Sequence, residues 1–135
     1  MKRRVRRLFV IGLTLLLALQ APILALATAY VSNYADLFAA AINNETAIQI
    51  MNSIQFGTGD AEVVFSNDLE ITTQGGAEFT LSREAGATGR FIVVNGTHSL
   101  TAENLTFTGG SAAGDGGAVL VGGDVTLTNC TFADS

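Results

Sequence analysis

Leu100-Thr101-Ala102-Glu103-Asn104-Leu105-Thr106-Phe107 is followed 25 residues later by Val125-Thr126-Leu127-Thr128-Asn129-Cys130-Thr131-Phe132. In each copy an apolar pair alternates with polar residues (Leu100/Ala102; Val125/Leu127), an asparagine intervenes, and a second apolar pair (Leu105/Phe107; Cys130/Phe132) resumes in the opposite parity. Side chains of a strand alternate strictly between faces, so a switch of parity requires a bend. Asparagine tolerates the left-handed backbone region that makes such a bend in one residue. Each copy therefore reads as two short strands joined by a one-residue corner, with the apolar residues of both strands facing one interior. A repeat of this length built from short strands predicts a β-solenoid, in which each strand pairs with its equivalent one coil away at about 4.8 Å. Stacking would set Asn104 over Asn129 and Phe107 over Phe132, as hydrogen-bonded and aromatic ladders. A β-sandwich would explain the alternation and turns, but it gives no reason for an in-register echo that includes the parity switch.

Upstream, Ile48 and Ile50, Val63 and Phe65, Leu69 and Ile71, Phe79 and Leu81, and Phe91 and Val93 alternate in the same manner between turns rich in Gly, Asn and Asp. These are expected strands. All of the 15 glycines except Gly12 follow position 56, and Pro22 is the only proline. From Val31 to Asn44 the period differs. Tyr34, Leu37, Phe38, Ala41 and Ile42 recur at helical spacing, with Ser32 or Asn33 as N-cap and Asp36 in the first turn. An open solenoid end exposes unpaired backbone and the apolar interior, so this helix is expected to cap the first coil.

Five of the seven basic residues (Lys2, Arg3, Arg4, Arg6, Arg7) precede the apolar run Leu8 to Leu19, and a small-x-small site follows at Ala25-Leu26-Ala27. That is the layout of a secretory signal peptide with cleavage expected after Ala27 and Ala29 as a nearby alternative. The apolar run falls short of the roughly 20 residues of a membrane span. Arg6-Arg7-Leu8-Phe9-Val10 loosely resembles a twin-arginine signal, but arginines are ordinary in the basic stretch of any such leader, and the general export route is expected. The organisation read from the sequence is thus a signal peptide over 1–27, a capping helix over 28–46 and parallel β-helix coils over 47–135, open at the C-terminal end. Localisation is expected to be secreted or cell-surface, with no membrane span once the signal is removed.

Beyond residue 27, two basic side chains, Arg83 and Arg90, stand against all twelve acids, a formal charge of −10. Such a chain offers no basic stripe to neutralise phosphates, which excludes nucleic acid and anionic lipid as partners. Acidic polysaccharides are disfavoured on the same ground. Cys130 is the single cysteine, so no internal disulfide forms and no Cys/His zinc cluster exists. Cys130 occupies an inward position and is expected to be a small core residue.

Gly116-Gly117-Ala118-Val119, together with Asn104-Leu105-Thr106-Phe107 and Asn129-Cys130-Thr131-Phe132, resembles the coils of chlamydial-type polymorphic outer-membrane proteins. More broadly it resembles the pectate-lyase-like right-handed β-helix proteins of bacterial surfaces. Clear resemblance covers about residues 89–135. The family's Gly-Gly-Ala-aliphatic element is matched. Its Phe-x-x-Asn element is not, since Phe107 is followed by Thr108-Gly109-Gly110 and Phe132 by Ala133-Asp134-Ser135. The resemblance implies an all-β fold, a right-handed parallel β-helix with a short N-terminal capping helix. The chain stops at Ser135 in mid-coil, so an N-terminal piece of a longer surface protein is expected, or a last coil completed by end-to-end self-association.

The resemblance also brings polysaccharide lyases and glycoside hydrolases into view. A lyase of that kind needs carboxylates for calcium and an arginine or lysine base. Arg83 and Arg90 flank the loop Glu84 to Gly89 without paired carboxylates on adjacent coils, and read as solvated turn residues. A hydrolase needs converging acids. Asp115, Asp124 and Asp134 are flanked by glycine or a chain end, which is turn chemistry. His98 reads as a surface-turn residue. Gly114-Asp115-Gly116-Gly117 and Gly122-Gly123-Asp124 are reminiscent of calcium turns but lack the nonapeptide spacing. Asn44, Asn95, Asn104 and Asn129 match glycosylation sequons, the last two incidentally because they are corners. No catalytic, cofactor-binding or metal residue, and no cofactor, is therefore assigned. The expected function is a non-catalytic, adhesin-like or structural segment whose threonine-rich faces (Thr101, Thr106, Thr126, Thr128, Thr131) meet host or neighbouring-cell surface ligands or carbohydrate. The alternative is the first part of a carbohydrate-active β-helix enzyme whose catalytic coils lie beyond Ser135.

Overall fold

The computed structural model describes residues 28–110 and 117–133. The leader region, Gly114, Asp115, Gly116 and Asp134, to which expectations above attach, lie outside the described residues.

Among the described residues twelve short strands follow one another, with an α-helix near the start and a 3-10 turn at Gln74–Gly76. They are β1 Ala29–Val31, β2 Ala47–Ile50, β3 Ile54–Phe56, β4 Val63–Phe65, β5 Leu69–Thr73, β6 Phe79–Arg83, β7 Ile92–Val94, β8 Leu100–Glu103, β9 Leu105–Thr108, β10 Val119–Val121, β11 Val125–Thr128 and β12 Thr131–Ala133. Every pairing is parallel, and no strand pairs with its sequence neighbour except β1 with β2 across the helix. Three sheets result: sheet A in the order β1-β2-β5-β8-β11, sheet B as β3-β6-β9-β12, and sheet C as β4-β7-β10. The chain therefore visits A, B and C in turn, about three times, and is a parallel β-solenoid.

Register places like on like along the axis. Ile48, Ile71, Ala102 and Leu127 form one inward column, and Ile54, Leu81, Phe107 and Phe132 form another. Sheet C adds Val63, Ile92 and Val119. From the first to the third coil these positions are almost wholly buried, except Val119, which is half-buried, and at about 25 cal/mol per Å² their burial is the main favourable term of the fold. The echoed asparagines are the expected corners. Asn104 has φ 61° and Asn129 φ 54°. Asn129 Nδ2 donates to Asn104 Oδ1 at 2.8 Å, and Asn104 Nδ2 to Thr73 Oγ1 at 3.5 Å, so the ladder runs up the A–B corner. Phe107 and Phe132 stack with centroids 5.0 Å apart and planes 11° from parallel. Cys130 is partly buried against the core, its Sγ directed at the Ala102 and Thr128 carbonyls.

The helix, α1, spans Tyr34–Ile42. Asn33 caps it by accepting from Asp36 N at 2.9 Å, while the Asp36 carboxylate accepts from Ser32 N at 3.0 Å, an exchange close to a capping box. It ends with Asn44 at φ 57°, Glu45 N donating to Ala40 O and Asn44 N to Ala41 O, the Schellman arrangement. As a lid α1 packs on β1, β3 and β4, closing sheets B and C while β1 continues sheet A. Two details differ from expectation. β1 precedes the helix within the segment expected to be helical alone, because the apolar tripeptide Ala29-Tyr30-Val31 is long enough to pair with Ile48–Ile50. The buried stripe is Leu37 and Ala40, whereas Phe38 and Ile42 are 43% and 63% exposed. A lid lying across a narrow strand edge uses less of its circumference than a helix in a bundle.

Candidate functional site

The connections differ sharply between corners. Those between sheets B and C that the structure describes in full are Gly57–Glu62 in the first coil and the longer Glu84–Phe91 in the second. At the other two corners no connection exceeds the five residues of Gln74–Glu78 or Asn95–Ser99. Loops carried by a rigid scaffold are where binding is usually built. The B–C ridge and the sheet C face beside it are therefore the candidate site.

Arg83 anchors the ridge. It closes β6 in register with inward-facing Phe56, so its side chain enters the wall and not solvent. The guanidinium lies 4.9 Å from the Phe56 centroid and 5.5 Å from that of Phe91, two rings that meet edge-on at 5.0 Å. Its Nη1 donates to Asp60 O at 2.7 Å and its Nη2 to Arg90 O. Arg83 thus ties the first-coil loop to the second-coil loop. Gly89, at φ +124°, leaves room for Nη2, since a Cβ there would stand 3.0 Å away. Burial pushes the Arg83 pKa down, opposed by Tyr34, Asp60 and Glu62. Burial pushes the Tyr34 phenol up, helped by Asp60 and opposed by Arg83. Tyr34 belongs to the same knot: its hydroxyl donates to Ala61 O at 2.9 Å and its ring meets Phe56 edge-on at 4.9 Å.

The expectation of a solvated turn residue is corrected for Arg83. Parity along Phe79, Leu81 and Arg83 turns it inward, and carbonyls and rings occupy the guanidinium, giving it the role of a staple. Arg90 pairs with Glu62 at 3.4 Å. Asp60 and Glu84 accept backbone N–H groups of Gly57 (2.8 Å) and Thr58 (3.0 Å). The acids of the ridge thus shape its loops.

The outer face of sheet C is the second element. Val64, Val93 and Leu120 are paired in register and, by parity, point away from the interior. Val64 is 40% exposed and Leu120 half-buried, while Val93 between them is 7% exposed. The outward columns of sheet A are polar by contrast: Glu70, Thr101, Thr126 and, beside them, Gln49, Thr72, Glu103, Thr128. Sheet B carries Thr80, Thr106 and Thr131. The five threonines expected to face outward do so. The apolar column of sheet C was not foreseen. Phe91-Ile92-Val93-Val94 is apolar at every position; pairing with Val63 and Phe65 puts Ile92 and Val94 inward, Phe91, just before the strand, also enters the core between Phe56 and Phe107, and Val93 alone departs from the expected alternation. A strand covered on both faces reads as a continuous apolar run, which was the available signal.

The remaining residues singled out from the sequence lie apart. His98 is in the turn after β7, with Nδ1 3.4 Å from Asp68 Oδ1. Asp68 also accepts from Ser99 N at 2.9 Å, and that bond, reinforced by His98, holds its carboxyl below the usual value. Gly122 and Gly123 pack on the Gly96 and His98 carbonyls, where a Cβ would collide, so close stacking of turns accounts for them without an ion. Asn44 and Asn95 are exposed, whereas Asn104 and Asn129 spend their amides on the ladder. Among the described residues no three His, Cys, Asp or Glu side chains converge as a metal site, and no helix is long and apolar enough to cross a membrane.

The geometry defines the chain as a parallel β-solenoid with a loop ridge on one corner. Comparison with protein-family models, with curated proteins and with solved structures finds no match to it.

Proposed function

We propose that this chain is an exported, cell-surface or secreted β-helical segment of the right-handed, pectate-lyase-like kind that acts by binding or by architecture, in an adhesin-like role. The observation that supports this most is the division of labour around the cross-section. Two sheets present uncharged and acidic hydrogen-bonding columns, the third carries an outward apolar column that reaches the surface at Val64 and Leu120, and inward-facing Arg83 ties together the first-coil and second-coil loops beside it. Apolar platforms beside polar rims are the ordinary make-up of recognition surfaces. The ligand class is neutral surface glycan or protein, because the acidic chain repels polyanions. The export reading rests on the basic-then-apolar leader and its small-x-small site.

The test expresses the whole 135-residue chain with a C-terminal epitope. Fractions are probed, and the exported species is applied to neutral glycans and to host or neighbouring cells. Binding that falls when Val64 and Leu120 become serine, with the fold kept by circular dichroism, supports the reading. Retention in the cytoplasm, or cleavage of a polysaccharide by the purified chain, overturns it.

A further inference from the structure

The lid is apolar on its outer side as well as its inner one. Ala35, Phe38, Ala39 and Ile42 are all exposed and recur at i, i+3, i+4 and i+7, a single stripe on the side of α1 opposite buried Leu37 and Ala40. Asp36 is the only charged residue of the helix, and its carboxylate is turned to the Ser32 amide. Tyr30, 66% exposed, projects outward from β1, the strand that ends sheet A at the same end of the solenoid. A helix that is hydrophobic all round belongs to one that is covered all round. We infer that the lid is a membrane-contact surface: while the leader is attached, the outer stripe of α1 rests in the boundary between headgroups and acyl chains of a neutral bilayer, and the solenoid stands upright on it.

The place where the leader joins the fold selects lipid. The inference rests on the export reading, in which the apolar run of residues 8–19 enters the membrane. Residues 20–28 are all that separates that run from β1, and fully extended they reach no further than about 30 Å. Because α1 packs on β1, the lid end and not the later coils meets the bilayer. Charge agrees with a neutral surface. From residue 28 to Ser82 there is no Lys, Arg or His, so nothing near the lid recruits anionic headgroups. Exposed Tyr30 adds the kind of aromatic ring that settles at headgroup level.

A second copy would need more surface than the lid has. The nine residues of α1 make a rod about 13 Å long and roughly 10 Å wide, a small fraction of the roughly 800 Å² that each partner of a stable pair buries. Two acidic copies also repel. A bilayer asks less of the stripe, because stable attachment combines two weak anchors and the leader is the other. Cutting at the expected site leaves the stripe alone, which holds weakly, so the same cleavage that removes the leader lets the lid go. Until then the three sheets and the loop ridge face sideways, clear of the membrane.

The experiment makes the whole 135-residue chain by cell-free synthesis with phosphatidylcholine vesicles, so that the leader is retained. In a Cys130→Ala background one polarity-sensitive fluorophore is placed at Ile42→Cys, on the stripe, or at Thr101→Cys, on the outer face of sheet A, with the fold checked by circular dichroism. Lipids carrying a quencher at the headgroup–acyl boundary should quench the probe at 42 severalfold more than the probe at 101. Phe38→Asp should abolish that difference while the leader still floats the chain with the vesicles. A chain that floats but shows equal quenching at the two sites, or none at either, overturns the proposal and leaves the export reading standing. A chain that does not float removes that reading, and the proposal falls with it. A blue shift at 42 that needs no lipid and grows with protein concentration gives the stripe to a second copy, which also overturns the proposal.

Discussion

Phe107→Ala and Phe132→Ala make the sharpest stability comparison, because the two rings occupy equivalent positions in successive coils and differ in what lies above them. Phe107 is 1% exposed, stacked on Phe132 and tilted against Phe91 at 5.8 Å. Removing it opens a hole closed on both sides along the axis, for which truncation of a buried phenylalanine costs about 3–5 kcal/mol. Phe132 is 45% exposed, so it contributes roughly half of the 1.5–3 kcal/mol for burying such a side chain, with no cavity term, or about 1 kcal/mol. Urea unfolding followed by far-ultraviolet circular dichroism reads both. The expected gap is about 2–4 kcal/mol in favour of the inner ring. Equal losses would mean that the two phenylalanines are not inner and outer members of one stack.

Three further substitutions probe the corners. Asn104→Gly keeps the left-handed backbone and loses the ladder bonds, at about 1 kcal/mol, whereas Asn104→Ala adds left-handed strain of about 1–2 kcal/mol; equal urea midpoints for the two would remove the conformational part of the reasoning. Arg83→Ala should cost about 2 kcal/mol through its carbonyl bonds and ring contacts, and hydrogen exchange should rise in Gly57–Glu62 and Glu84–Arg90 together. Arg83→Lys should recover little, because one ammonium cannot span both carbonyls in that plane; uncoupled loops would argue against a staple. Asp68 has a depressed folded pKa, so its contribution is present above the unfolded carboxylate value of about 3.9 and disappears as pH falls through the lower folded value. The stability difference between the native chain and Asp68→Asn should therefore vanish in acid, and one that persisted there would contradict the bond to Ser99.

The solenoid was legible because its corners are made by single residues with a chemical signature. Asn104 and Asn129 interrupt an otherwise regular alternation, and a parity switch repeated at constant spacing has few structural explanations. The helix was legible for the same reason, its cap residues Asn33 and Asp36 preceding a change of period. The candidate site was harder to see. Arg83 follows Ser82 and precedes a Gly/Ala-rich loop, so its neighbours suggest a turn; only the pairing of β6 with β3, which sets it over Phe56, reveals an inward position. Long-range register likewise decides which of Phe91, Ile92, Val93 and Val94 point outward. Local sequence carries period but not the identity of the partner strand, and the site depends on the partner.

Parallel stacking of the two asparagine-centred segments can be observed directly by nuclear magnetic resonance on the isotopically labelled chain. The pairing of Thr126 with Thr101, and of Thr101 with Glu70, predicts sequential ladders of parallel-strand contacts, with the Leu100 amide bonded to the Asp124 carbonyl. Strong Hα–Hα contacts between these segments, the mark of antiparallel neighbours, or an absence of contacts between them, would contradict the solenoid.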